Sequence, residues 1–192
     1  MNRPDDNSTP RHPLQHYLHK MRGGGQMAPM VGVGEVFWSW LGAFLGIGLV
    51  GFLDARVFAP ADLALIIGSF GASAVLIYGA PGSPLAQPRN LIGGHLISAV
   101  VGVMLFQELG AIPWLAAALA VSLAIAAMHL TRTLHPPGGA TALIAVIGSE
   151  RLHHLGFLYV LIPVGLGALC LLLVALLVNN LAPSRRYPVV WW

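Results

Sequence analysis

The chain has 192 residues, of which 56% are hydrophobic and 9% charged, with a net charge of +3 and a mean hydropathy of +0.75. Soluble proteins carry about 25% charged residues, and a domain near this size leaves roughly 30% of its unfolded surface in water, so this composition excludes an ordinary water-soluble globule. The basic residues are scattered beside apolar runs and form no patch, which argues against a nucleic-acid partner and makes them topology signals for a lipid-embedded chain.

Residues 1–34 are polar and carry Pro4, Pro10, Pro13 and the run Gly23-Gly24-Gly25, a composition that predicts a flexible cytoplasmic tail. This stretch lacks an apolar core followed by a cleavage site, so insertion through the protein's own spans is expected rather than through a secretory signal. His12, His16 and His19 are four and three residues apart and share a helix face. That face is either a metal site or a solvated basic surface, and the composition favours the second.

Six apolar segments follow, at about 36–53, 61–79, 91–109, 112–130, 136–149 and 156–178. A hydrocarbon core of about 30 Å needs roughly 20 helical residues, and five of the six reach that length. The fifth begins after His135-Pro136-Pro137 and, at about 1.5 Å per residue, extends only about 21 Å. It is a half-helix, a re-entrant element, or a span completed by irregular backbone, which membranes tolerate only when buried in protein or lining a cavity. The expected fold is therefore all-α: a polytopic membrane helix bundle of about six segments. A transmembrane domain at 35–180 lies between the tail at 1–34 and a short cytoplasmic tail at 181–192.

Charge fixes the expected orientation. With six crossings and a cytoplasmic N-terminus, Arg3, Arg11, Lys20, Arg22, Arg89, Arg132, Arg185 and Arg186 fall inside, and only Arg56 and Arg151 outside. If the fifth segment merely dips in and returns, the bias drops to six against four. Both termini are expected in the cytoplasm, with the chain in the cell's inner (plasma) membrane. Within this frame, Gly71-Ala72-Ser73-Ala74-Val75-Leu76 in the second segment matches Gly139-Ala140-Thr141-Ala142-Leu143-Ile144 in the fifth at an offset of 68. The two segments run in opposite directions, so the match predicts two inverted three-helix repeats with a site at their interface. The competing reading is that small residues are simply common in membrane helices.

Two stretches carry the candidate chemistry. In His135-Pro136-Pro137-Gly138-Gly139-Ala140-Thr141, the prolines suit a first helical turn. Free N–H groups, the positive dipole end, the Gly138 and Gly139 backbone and the Thr141 hydroxyl then suit an anion. In the second stretch, turn residues lead to Pro88, Arg89 and Asn90 at the start of segment three, with His95 one to two turns inside it. Arg89 either snorkels and sets topology or draws anions. His95 is either a buried neutral histidine with a backbone partner or a functional intramembrane group. His129, Arg132 and His135 suggest a basic vestibule. Gly94, Ser98 and Gly102, and likewise Gly42 and Gly46, predict close helix packing. Glu35, Asp54, Asp62, Glu108 and Glu150 all sit near segment ends, and no catalytic or nucleotide-binding motif is present.

The run from His135 to Leu143 resembles the signature of the HPP family of integral membrane proteins, and the run from Ser83 to Asn90 with Gly93-Gly94-His95 is similar to that family too. The resemblance covers about residues 36–178. It implies four or more membrane helices. Because plastid and cyanobacterial members are associated with nitrite transport, it also implies movement of a small monovalent anion. Some members carry a soluble CBS module, which is not expected in this chain. The resulting expectation is a small-anion transporter or channel, most plausibly for nitrite, with substrate contacts from Ser73, Arg89, Asn90, His95, His135, Gly138, Gly139 and Thr141. It is not expected to be an enzyme or to use a metal or cofactor. Its partners are the lipid bilayer and a small anion, with a homo-oligomer permitted by the glycine stripes. The alternatives are a non-transporting assembly protein and a membrane-embedded metal-dependent enzyme.

Overall fold

The computed structural model describes residues 13–21, 25, 29–61 and 63–192, in two compact units, Met1–Val31 and Gly32–Trp192. The first contributes one short helix, α1 (Pro13–Lys20). His12 and the side chain of His16 lie outside the described residues, as does Asp62.

The second unit is all-helical among its described residues: α2 (Val33–Leu53), α3 (Ser69–Gly79), α4 (Pro88–Leu109), α5 (Pro113–Leu130), α6 (Pro136–Ile147), α7 (Glu150–His154) and α8 (Leu166–Leu181). Four stretches are long and apolar enough to cross a bilayer: Val33–Ala61, Pro88–Leu109, Pro113–Leu130 and Val160–Leu181. The first continues α2 through a wide turn, and the last prefixes α8 with another wide turn around Pro163. Their outer faces expose Trp40, Phe44, Phe52, Trp114, Leu130, Leu173 and Leu177, an apolar surface suited to lipid and unsuited to water. Proline at N1 starts α4, α5 and α6, where a missing N–H costs no intrahelical bond.

Segment two departs from its predicted continuous span. Helix α3 covers only 11 residues, and residues 63–67 approach it as non-helical chain. The reason lies in side chains that satisfy this backbone. Asp54 accepts from the N–H of Leu65 at 2.6 Å and of Ile66 at 3.3 Å, and Arg151 donates to the Leu63 carbonyl. The chain thus has two apolar half-helices, α3 and α6, and each contains one copy of the small-residue match.

Helix α4 lies at the centre, against α5, α6 and the turn before α8. Its small-residue stripe brings it close to α6. A Cβ on Gly102 would lie 2.6 Å from the Ala142 carbonyl oxygen and 2.7 Å from the Ala145 Cβ, and one on Gly138 would lie 2.7 Å from Ser98 Oγ. Gly42 and Gly46 of α2 instead accommodate the Tyr78 ring, whose hydroxyl donates to the Leu171 carbonyl at 2.9 Å.

The segment after α8 is docked rather than loose. Arg185 donates to Glu35 at 2.8 Å, to Ser39 Oγ at 2.8 Å, to Asn179 Oδ1 at 3.0 Å and to the Tyr78 carbonyl at 3.0 Å. Asn179 donates to the Ile77 carbonyl at 3.0 Å. Two of the last carbonyls of α3 are therefore capped by side chains, one of them cationic, as a helix C-terminus favours. Tyr187 donates to the Ala86 carbonyl at 2.7 Å, and burial raises its phenol pKa, which keeps that donor protonated.

Three substitutions test this packing. Gly102→Val should destabilise the purified protein by about 1–3 kcal/mol, because α6 cannot retreat from the inserted methyls. Gly48→Ala, which faces open space, should leave thermal unfolding in detergent unchanged. Arg185→Ala should cost about 1–3 kcal/mol by the same measurement, since it leaves the Tyr78 carbonyl without its donor and removes the cation beside Glu35.

Candidate functional site

Half-helices α3 and α6 meet against α4 through a fully buried polar cluster. His95, from the second turn of α4, is 0% exposed. Its Nε2 lies 2.7 Å from Ser73 Oγ on α3, and its Nδ1 lies 2.7 Å from Thr141 Oγ1 on α6. Ser73 and Thr141 occupy equivalent places in the two copies of the sequence match, so each copy supplies one hydroxyl to opposite sides of a single imidazole. Ser73 Oγ also lies 3.0 Å from Nε2 of His135, the N-cap of α6. Thr141 donates to Ser69 Oγ at 2.9 Å. Ser69 pairs with residue 141 and Ser73 with residue 135, so α3 and α6 run past each other in opposite senses.

Secondary contacts hold the cluster in place. His135 Nδ1 lies 2.8 Å from the Leu85 carbonyl, which can only accept, so this nitrogen carries a hydrogen. Tyr159 donates to the Thr141 carbonyl at 3.0 Å. The Phe70 ring stands edge-on to His95 at 5.5 Å, and the two imidazole centroids are 5.0 Å apart. None of the recorded partners of the two histidines is charged. Among the described residues no buried side-chain polar atom lacks a partner, and no three of His, Cys, Asp and Glu come together as metal ligands.

One residue away lies a cavity of about 320 Å³, lined by Gln87, Arg89, Asn90, Arg132, Val189 and Trp192 among others. Its lining includes two arginines and no Asp or Glu side chain. Arg89 donates to the Thr131 carbonyl at 2.8 Å, and Asn90 to the Leu134 carbonyl at 2.9 Å. The Asn90 bond thus joins the vestibule to the residue before His135. Arg132 ends α5 in the left-handed conformation, at φ 57°. Thr133 N–H then bonds back to the Met128 carbonyl at 2.9 Å and Arg132 N–H to the His129 carbonyl at 3.2 Å. Glycine fits that position of a helix-ending turn most easily. An arginine there costs about 1–2 kcal/mol of backbone strain, which points to a use for its guanidinium.

The structure therefore brings Ser73, His95, His135 and Thr141 together and places Arg89 and Asn90 in the adjoining vestibule. Gly138 serves the close approach of α6 to α4, and Gly139 faces an apolar cavity that His129 also lines. Sequence reasoning omitted Ser69, although it precedes Ser73 by four residues and so shares its helix face. Tyr159 carried no such signal. Asn179 did, as a lone amide in a strongly apolar helix. Thr141→Val keeps the shape of the side chain but leaves His95 Nδ1 without its partner. It should lower stability by about 1–3 kcal/mol, while Thr141→Ser should stay close to wild type, both read by thermal unfolding in detergent.

The profile of a family described as "HPP, transmembrane region" matches residues 28–188. Two relatives are transmembrane proteins of Dictyostelium discoideum. One is 50% identical over 179 residues, covering 92% of this chain and 57% of the relative. The other is 48% identical over 181 residues, covering 92% of this chain and 63% of the relative. The chain thus spans less than two thirds of the length of either. No solved structure matches it.

Proposed function

The chain belongs to the HPP transmembrane family and is a membrane protein, and from that premise we propose that it is a transporter of small monovalent anions, with nitrite the first candidate. The observation that carries this reading is the vestibule of Arg89, Asn90 and Arg132, lined by no acidic side chain and tied through the Asn90 bond to the Leu134 carbonyl, next in the chain to buried His135. Paired guanidinium groups in a concave site concentrate anions and strip part of their hydration. The two half-helices meeting behind them are the arrangement in which secondary transporters place substrate, near the midplane and at a repeat interface. Ser73, Thr141 and the two histidines supply hydrogen-bond donors that a desolvated anion needs.

On this reading the vestibule opens on the cytoplasmic side, in line with the charge bias of the sequence, and the mechanism requires no cofactor or bond-making chemistry. The cluster is fully buried, so passage involves movement of the residues around it, and a carrier cycle suits it better than an open channel.

Arg132→Gly separates function from folding. Glycine relieves the left-handed strain, so stability should hold or rise by about 1 kcal/mol. Nitrite uptake into proteoliposomes should nevertheless fall about tenfold, the effect of losing roughly 1.4 kcal/mol of anion attraction. Arg89→Ala should lower uptake similarly. Undiminished uptake in both variants would remove the vestibule from the mechanism.

A further inference from the structure

Counting hydrogens through the buried cluster gives two arrangements that differ by one proton. Five contacts form a line: Leu85 carbonyl to His135, His135 to Ser73, Ser73 to His95, His95 to Thr141, and Thr141 to Ser69. The Leu85 contact takes the Nδ1 hydrogen of His135. When Thr141 donates to Ser69, the three contacts in between need three hydrogens. Ser73 and a neutral His95 supply one each, so the third is an added proton on one of the imidazoles. When the Thr141 hydroxyl turns instead to His95 Nδ1, the other four contacts close with both histidines neutral, and only the Thr141–Ser69 contact is given up. The two arrangements interconvert through rotation of hydroxyls and relocation of imidazole hydrogens, with no movement of heavy atoms.

We propose that Ser69, Thr141, His95, Ser73 and His135 form a proton-binding relay that takes one proton from water and returns it, coupling anion movement to proton movement. The proposal rests on the transport reading above and names its coupling ion. Charge balance supplies the link. The groups that face the two imidazoles are Ser69, Phe70 and Ser73 from α3, Thr141 from α6, Leu85 from the preceding turn, and each other. A further titratable group, Tyr159, bonds to the Thr141 carbonyl. With no carboxylate among these contacts, the added proton leaves a buried cation without a counter-charge, which a low-dielectric interior penalises. An anion arriving from the Arg89 and Arg132 vestibule offsets that charge, so proton and anion favour one another and move in the same direction. The neutral arrangement returns when both leave.

The test uses purified full-length protein in proteoliposomes, with nitrite as the probe, empty liposomes as background and a trapped pH dye. Wild type is expected to take up nitrite several-fold faster under an inward proton gradient and to acidify the lumen as nitrite enters. Ser73→Ala, which breaks the line between the histidines and leaves the vestibule intact, is expected to lose about tenfold of the gradient stimulation and the nitrite-driven acidification. Because Ser73 also offers the anion a hydrogen bond, exchange of nitrite at equal pH falls too, and a loss of gradient stimulation larger than the loss of exchange is the result that supports the relay. Wild-type nitrite uptake with no gradient response and no proton movement would overturn the relay and leave the transport reading standing, as would full coupling in Ser73→Ala. Should Ser73→Ala not fold, nitrogen NMR of the wild-type imidazoles decides the point. With nitrite present, uptake of one proton shared by the pair supports the relay, and two imidazoles fixed in one neutral form throughout overturn it. Failure of wild type to move any anion overturns the transport reading and the coupling together, while the NMR titration still reports on the proton site.

Discussion

One imidazole ties the two halves of this protein together. His95 receives a hydroxyl from α3 on one ring nitrogen and a hydroxyl from α6 on the other, both at 2.7 Å. A histidine wholly out of water tolerates few alternatives, because each nitrogen left without a partner costs the desolvation of a polar group. The position of α4 between two half-helices, the register of α3 against α6, and the placement of His135 at the start of α6 all follow from satisfying that ring. The glycines of α4 and α6 make it possible, since any larger residue at Gly94, Gly102 or Gly138 would hold the helices too far apart for the contacts to close.

Half-helices leave backbone groups exposed at their ends, and a membrane interior supplies no water to satisfy them. The chain solves this with side chains borrowed from elsewhere. Asp54 covers the N–H groups of the irregular stretch before α3, and Asn179 and Arg185 cover the carbonyls after it. At α6 the prolines remove the donors that would lack partners. Charged residues that look like simple topology markers therefore serve as structural caps. Arg185 is the clearest case, at the segment that closes over α2 and α3.

Much of this was legible in the sequence, and for stated physical reasons. The apolar segments, the shortness of the fifth and its start at the double proline follow from length and from proline's missing donor. The 68-residue offset pointed to Ser73 and Thr141 as equivalents, and His95 stood out as an ionisable group inside a span. The break in the second segment was not legible, because residues 63–68 are as apolar as a helix and the cause of the break is Asp54, on another element. The role of Arg185 was hidden for the same reason: its partners lie 6, 107 and 150 residues away along the chain. The strained backbone of Arg132 has no sequence signature, since left-handed helix ends are usually marked by glycine or asparagine.

The transport we propose joins these parts in one physical sequence. On that reading guanidinium groups gather an anion, and donors at the junction of two half-helices replace its lost water. Isotope-labelled nitrite counterflow tests this most directly, because passive leak of the neutral acid cannot produce it. Proteoliposomes loaded with unlabelled nitrite are diluted into labelled nitrite at equal pH on both sides. Transient accumulation of label above its outside concentration, absent from empty liposomes, is the result expected of this account. Folded, reconstituted protein that shows no counterflow with nitrite, nitrate or formate would contradict it.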